Sequence, residues 1–329
     1  MTTLKHWRLL LLIVITGLIA SHCQATPWHT VPTVPRPAYF LAATSPESEE
    51  HRQFINGMQA ALSEVDHYFD FQYQALPETL NEQQALIQHI AQIKDSVIFL
   101  HCLSIQPLAD TLQAAAEQGS TIVLVDSPQL SSLNSLTIGN SPYNMGESLA
   151  TKIMQTSTQP LTSAEMVLVH HTSTGETSNR RIEGAQFQFK VNWQQPAQTL
   201  TLAGSHSEAR QQLALFIANN PEIKAVLCLD EFATTVAPEP FHTALPNTTI
   251  YGIGVNPTIL SAMEKNFLSE LIVPNSYSIG YTAIKRAYQQ LTTNSPINND
   301  PNSVTFYRSI HPNELFDLGH AAWLFPYTN

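Results

Sequence analysis

A regular alternation of short apolar runs with stretches of helical periodicity constrains this chain more than any other feature. Across residues 250–281 the order reads strand, loop, helix, strand, loop, helix, with each loop where a strand gives way to a helix. The same rhythm runs from the front. Residues 38–44 form an apolar strand, and Phe54, Met58, Ala61, Leu62 and Val65 then fall on one helical face. Residues 69–75 make a second strand, and Leu86, Ile87, Ile90 and Ile93 stripe a second helix. A strand over 96–101, a helix carrying Leu108, Leu112 and Ala115, and a strand over 121–126 follow. A second set begins after Ile138, Gly139 and Asn140. Ser141 caps a helix with Pro142 at its first position, a place where proline's missing N–H does no harm. That helix carries Met145, Leu149 and Ile153, and a strand over 165–170 and a helix over 175–190 come next. Ser205 and Glu208 form a capping box ahead of Leu213, Phe216 and Ile217, and 224–230 is another strand. Such alternation predicts an α/β protein with parallel sheets covered on both faces. In such sheets ligands sit at the carboxyl ends of the strands.

At 329 residues the chain is long enough for two cores. Charged residues make up 12% of it, about half the usual share, with a net charge of −11. Phosphate backbones require clustered Lys and Arg, so nucleic acid is excluded as a partner. No helix-turn-helix precedes the α/β region. Lys5, His6 and Arg8 precede an apolar run over 9–20, and small residues lead to Ala25 with Cys23 at −3. This predicts a signal peptide over 1–25 and export to the periplasm. A retained anchor is the alternative, although the run is shorter than the roughly 20 residues of a span. Lipid attachment at Cys23 is another, with His22 a poor match before it. Residues 26–37 hold four prolines and read as an extended leader. Cys102 and Cys228 fall on strands of different lobes and are expected as buried thiols, not a disulfide.

A search for catalytic constellations finds no Gly-x-Ser-x-Gly elbow and no phosphate loop. Thirteen histidines form no His-Glu-x-x-His. His170 and His171 are adjacent in a strand, so they point to opposite faces. The expectation is no enzyme, no metal and no cofactor. A binding protein instead needs polar side chains at strand ends in two lobes, facing one another across a gap.

Residues 250–281, Asp126 after Val-Leu-Val, and Arg181 with Gly184 in the 172–184 loop together resemble the sugar-binding type I periplasmic binding proteins. That family shares its core with the lac-repressor type regulators. The resemblance spans about residues 37–308. It implies two doubly wound parallel-sheet lobes joined by a three-strand hinge: 38–139 with 275–301, and 140–274 with 302–310. Crossings then fall near 138–140, near 273–275 and within 301–308. Residues 311–329 form an extension whose Trp323, Leu324, Phe325 and Tyr327 pack on a lobe.

The resemblance also implies site positions. Ser48, Glu50 and His51 stand where the family carries an Asn and ring-stacking aromatics. The alternative there is that Ser45 caps the helix and the acids favour its dipole. Asp126, followed by Ser127, accepts hydrogen bonds from ligand hydroxyls. Asn179 takes the place of a ligand-gripping Arg, while Arg181 reads as structural. Leu229, Asp230 and Glu231 replace Asn-Asp-Glu. Gly254 replaces an Asp that Asn256 could substitute for, and Pro274 replaces a Gln, with Asn275 and Tyr277 following. The scaffold is kept better than the sugar contacts. Glu47, Glu50, Asp126, Asp230 and Glu231 would line an acidic cleft, favouring an amine or polyol over an anion. The expected protein is a monomer that presents a small polar ligand, sugar-like, polyol or amine, to a membrane permease of an ABC-type import system. The alternative partner is a membrane sensor kinase; an exported enzyme is the third reading.

Overall fold

The computed structural model describes residues 34–43, 49–293 and 305–324. The expected signal peptide, most of the leader, and Glu47 and Ser48 lie outside them, as do Phe325 and Tyr327.

The first lobe is built from β1 (Arg36–Ala42), α1 (Glu49–Leu62), β2 (Phe69–Ala75), α2 (Leu80–Ala91), β3 (Val97–His101), α3 (Ala109–Glu117), β4 (Thr121–Val125) and β5 (Leu136–Ile138). Its strands pair in parallel in the order β2-β1-β3-β4-β5. β1 starts at Arg36, two residues ahead of the expected strand. The central β3 is buried at every residue, as a strand covered on both faces must be. Phe40, Phe54, Met58 and Phe99 fill one face, and Leu41, Ile87, Leu100 and Leu112 the other.

The second lobe follows with α4 (Pro142–Thr156), β6 (Met166–His171), α5 (Gly175–Trp193), β7 (Gln198–Leu202), α6 (His206–Asn219), β8 (Ala225–Cys228), α7 (Glu231–Val236), α8 (Pro238–Ala244), β9 (Thr249–Ile253), α9 (Pro257–Glu264) and β10 (Glu270–Pro274). α10 (Ser276–Thr293) then returns to pack on α1, and β11 (Tyr307–Ile310) and α11 (Leu318–Leu324) complete the described chain. The second sheet runs β11-β10-β9-β8-β6-β7, with β11 antiparallel to β10. Both thiols are unbonded and buried, Cys102 beside the first sheet and Cys228 within the second. Leu324 is buried in the second lobe's core, and the Arg308 guanidinium lies 4.8 Å from the Trp323 ring.

The chain crosses between lobes through residues 139–141, between β10 and α10, and at Phe306, which is buried in the first lobe's core one residue before β11. The crossings are tied together. Asn140 donates from Nδ2 to the Phe306 carbonyl at 3.2 Å and accepts from its N–H at 3.0 Å. The Asn275 N–H donates to the same carbonyl at 2.8 Å.

Each lobe carries one backbone-close helix pair. A Cβ added at Gly57 on α1 would lie 2.0 Å from the Tyr277 carbonyl oxygen on α10. One added at Gly146 on α4 would lie 2.0 Å from that of Arg181 on α5. Gly280 and Gly184 make the reciprocal approaches.

Two features depart from the sequence reading. β7 is a half-exposed edge strand of only five residues, so its Gln-Thr-Leu-Thr-Leu stretch carries no continuous apolar signal. Two short helices, α7 and α8, follow β8 where the sequence reading assigned no element.

Candidate functional site

The carboxyl ends of β4, β8 and β9 and the first turns of α1, α5 and α7 meet at a gap between the lobes. Asp126 stands just past β4 in a left-handed conformation, φ 45°. Its Oδ1 accepts the Asn140 N–H at 2.8 Å, which ties it to the first crossing strand. Burial raises its pKa, opposed by that hydrogen bond and by Arg181. Glu50, half-buried in the first turn of α1, faces the same gap. It lines a cavity of about 30 Å³ with Gln53 and Ser276, and with Glu231, Gly254, Val255 and Pro274 of the second lobe. Burial, then the carboxylates of Asp126 and Glu231, push Glu50 up to about 8, only partly offset by Arg181.

Arg181 on α5 is the cation of this cluster. One guanidinium nitrogen donates to the Leu229 carbonyl at 2.7 Å. Its Nε is buried and meets no acceptor. Burial lowers its pKa, while Asp126, Asp230 and Glu50 hold the charge in place. Sequence reasoning gave Arg181 a structural role and looked for the gripping group at Asn179. The structure leaves Asn179 exposed and sets the guanidinium two positions further on. A direct signal was present: two helical positions separate side chains by about 200°, so only one of this pair can face the gap.

Several expected ligand contacts are committed elsewhere. Ser127 is 6% exposed; its Oγ accepts from the Cys102 N–H at 2.8 Å and lies 2.9 Å from the Leu100 carbonyl, stapling the ends of β3 and β4. Asp230 is 2% exposed and caps α7, accepting from the Ala233 N–H at 2.7 Å. Its other oxygen accepts from the His171 N–H at 2.7 Å, Thr174 Oγ1 at 3.1 Å and Ser178 Oγ at 3.4 Å. His51 packs into the first lobe, its ring 4.4 Å from that of Tyr73 and stacked on Phe40. Burial lowers its pKa.

Asn256 caps α9 by accepting from the Ile259 N–H at 3.0 Å, and its Nδ2 donates to Glu231 Oε1 at 3.1 Å. It therefore orients Glu231. Gly254 explains why no carboxylate stands beside it: φ is 115°, and a Cβ there would lie 2.8 Å from Glu231 Cβ. Asn275 accepts from the Ser278 N–H at 2.8 Å at the second crossing. Of the expected residues, Glu50 and Asp126 reach the gap, joined by Glu231 through Asn256. Ser48 lies outside the described residues.

A larger cavity, about 310 Å³, flanks the first crossing strand and includes Gln129, Asn140, Tyr143, Glu176 and Arg180 in its lining. Beside it, Glu176 of α5 accepts from Ser104 Oγ and the Ile105 N–H of the first lobe, both at 3.3 Å. The two lobes are thus in contact across the gap. Carboxylates so placed accept from hydroxyls and ammonium groups, and the guanidinium donates to hydroxyl oxygens, in charge-assisted hydrogen bonds.

Comparison with known proteins agrees with the two-lobed fold. No curated protein sequence matches the chain. Solved structures do. A periplasmic ribose ABC transporter protein from Conexibacter woesei is 15% identical, with a TM-score of 0.70 over 86% of this chain and 93% of that one. A Caulobacter myo-inositol binding protein, bound to myo-inositol, is 14% identical with a TM-score of 0.69 over 86% and 97%. A chain of the XylFII-LytSN complex is 15% identical with a TM-score of 0.65 over 85% and 99%. At these identities the likeness is one of fold. The family model described as a periplasmic binding protein domain matches residues 41–295. With most of both lobes, the first two crossings and the interlobe residues Glu50, Asp126, Arg181 and Glu231 inside that span, this chain belongs to the periplasmic binding protein domain family.

Proposed function

We propose that this protein works outside the cytoplasmic membrane, capturing a small polyhydroxylated or amine-bearing solute between its lobes. The closed form then hands the solute to a membrane permease of an ABC-type import system. The observation that carries this reading is the interlobe cluster: Asp126 and Glu50 of the first lobe facing Arg181 and Glu231 of the second. Such a cluster meets a solute fully only when the lobes close, so binding energy drives closure. The ribose and myo-inositol relatives support a polyol-like ligand, and the ABC relative supports the delivery role. In this reading the protein acts as a monomer without cofactor.

The test is a thermal-shift screen against sugars, polyols and amines, since a ligand bound only by the folded state raises Tm. Asp126→Asn keeps the oxygen that accepts the Asn140 N–H but removes the charge. It should reduce the shift of any hit by at least half. A hit whose shift is unchanged in this variant would place the ligand elsewhere.

A second reading, ligand sensing through a membrane-bound kinase, is favoured by the relative found in complex with LytSN. Crosslinking the liganded protein in membranes separates the two: a permease adduct supports import, a kinase adduct sensing.

A further inference from the structure

Capture by closure, the reading above, brings charges of both lobes into one small space. Glu50 and Asp126 come from the first lobe and Glu231 and Arg181 from the second. Glu50 and Glu231 line the same cavity of about 30 Å³. Carboxylates from opposite lobes thus share the wall of one narrow pocket. Asn256 holds Glu231 in place, and Arg181 is shared among Glu50, Asp126 and Asp230. Carboxylates therefore outnumber the guanidinium around this pocket among the described residues. On its own helix, Glu50 has Gln53 beside it in the cavity, while His51 turns away to Phe40 and Tyr73.

We propose that closing the lobes takes up a proton, held on Glu50 between the carboxylates of Asp126 and Glu231, so that pH sets the balance between open and closed forms. A half-buried carboxyl facing other carboxylates ionises less readily, and the cheapest relief is to protonate it. Opening separates Glu50 from Glu231 and returns it to water. The direction of the Glu50 shift agrees, from 4.5 up to about 8 with the lobes in contact. A group whose pKa is raised in one state favours that state at low pH. Closure is thus most favoured below the ordinary value and loses this support as pH rises through about 8. Within that window the closed-to-open ratio falls by up to about tenfold per pH unit.

The experiment measures the distance between spin labels on α3 and α6 in the full-length, ligand-free protein. Cys23 is replaced by serine; Cys102 and Cys228 are 3% and 0% exposed and escape labelling. The closed fraction should fall steadily from pH 5.5 to pH 8 and then level off. Glu50→Gln should stay closed across the range, and Glu231→Gln should flatten the response. A wild-type distance that does not move with pH overturns the proposal. So does a Glu50→Gln or Glu231→Gln variant that keeps the full wild-type response. Because no ligand is added, failure here leaves solute capture standing, and failure of the thermal-shift screen leaves this result standing.

Discussion

Asp126 and Asp230 look alike in the sequence, each an acid directly after an apolar strand, yet the structure gives them opposite work. Asp126 keeps one oxygen toward the gap. Asp230 is sealed behind β6 and β8 with four donors on its carboxylate. Replacing Asp230 with alanine leaves the His171 and Ala233 N–H groups without that acceptor. The expected loss is about 2–4 kcal/mol of stability, read by urea unfolding. Asp230→Asn, which keeps one acceptor oxygen, should recover part of it. An Asp230→Ala protein as stable as wild type would contradict the capping role. Ser127 teaches the same lesson at smaller cost: its position was legible, but its hydroxyl turned to the backbone. Which rotamer a strand-end side chain takes depends on neighbours remote in sequence. For Ser127 they are Leu100 on β3 and Cys102 just after it, 25 or more residues away.

Among the elements, those with strong local signals were readable. The Ser205–Glu208 capping box opens α6, and Ser141 with Pro142 opens α4, as their spacing predicts. β7 escaped because an edge strand needs no continuous apolar run. α7 and α8 are six and seven residues long, too short for a helical stripe. The close approach of α4 to α5 also has no local signature, because glycine in a helix reads only as a weakness. In the structure Gly146 lets α5 come near enough to hold Arg181 at the gap. Gly146→Val should force the helices apart, costing about 2–3 kcal/mol and lowering Tm. Gly319→Ala, with nothing within 4 Å of the new methyl, should leave Tm essentially unchanged. Equal effects of the two substitutions would remove the packing argument.

At the scale of the whole molecule, two sets of buried groups pull pH dependence in opposite directions. Burial holds His101 down at about 4, against an ordinary 6.5, with His51 adding to the effect. A group whose folded pKa is depressed binds fewer protons folded than unfolded between those values. Stability contributed by neutral His101 is therefore present above about pH 6.5 and lost as pH falls toward 4. The loss amounts to about 3 kcal/mol, an upper figure for a single buried imidazole. Glu50 works the other way, favouring the closed fold at low pH. His101→Gln should show a smaller drop in Tm between pH 7 and pH 4.5 than wild type. An unchanged drop would mean that other groups govern acid unfolding.

The parallel α/β layers followed from the sequence by itself, because strand–helix alternation and apolar periodicity are short-range patterns set by burial, while the two-lobed arrangement was what the resemblance to the periplasmic binding proteins implied. The same patterns placed the strand ends, and the resemblance named Glu50 and Asp126 beside them. Tertiary structure alone decided which polar groups reach the gap. Arg181 joins the interlobe cluster while Asn179 stays exposed, because α5 presents one face, fixed by its contact with α4 at Gly146. Asp230 and Ser127 leave it because backbone N–H groups from neighbouring strands arrive first. Hydrogen-bond competition between segments far apart in the chain is settled only when those segments have packed.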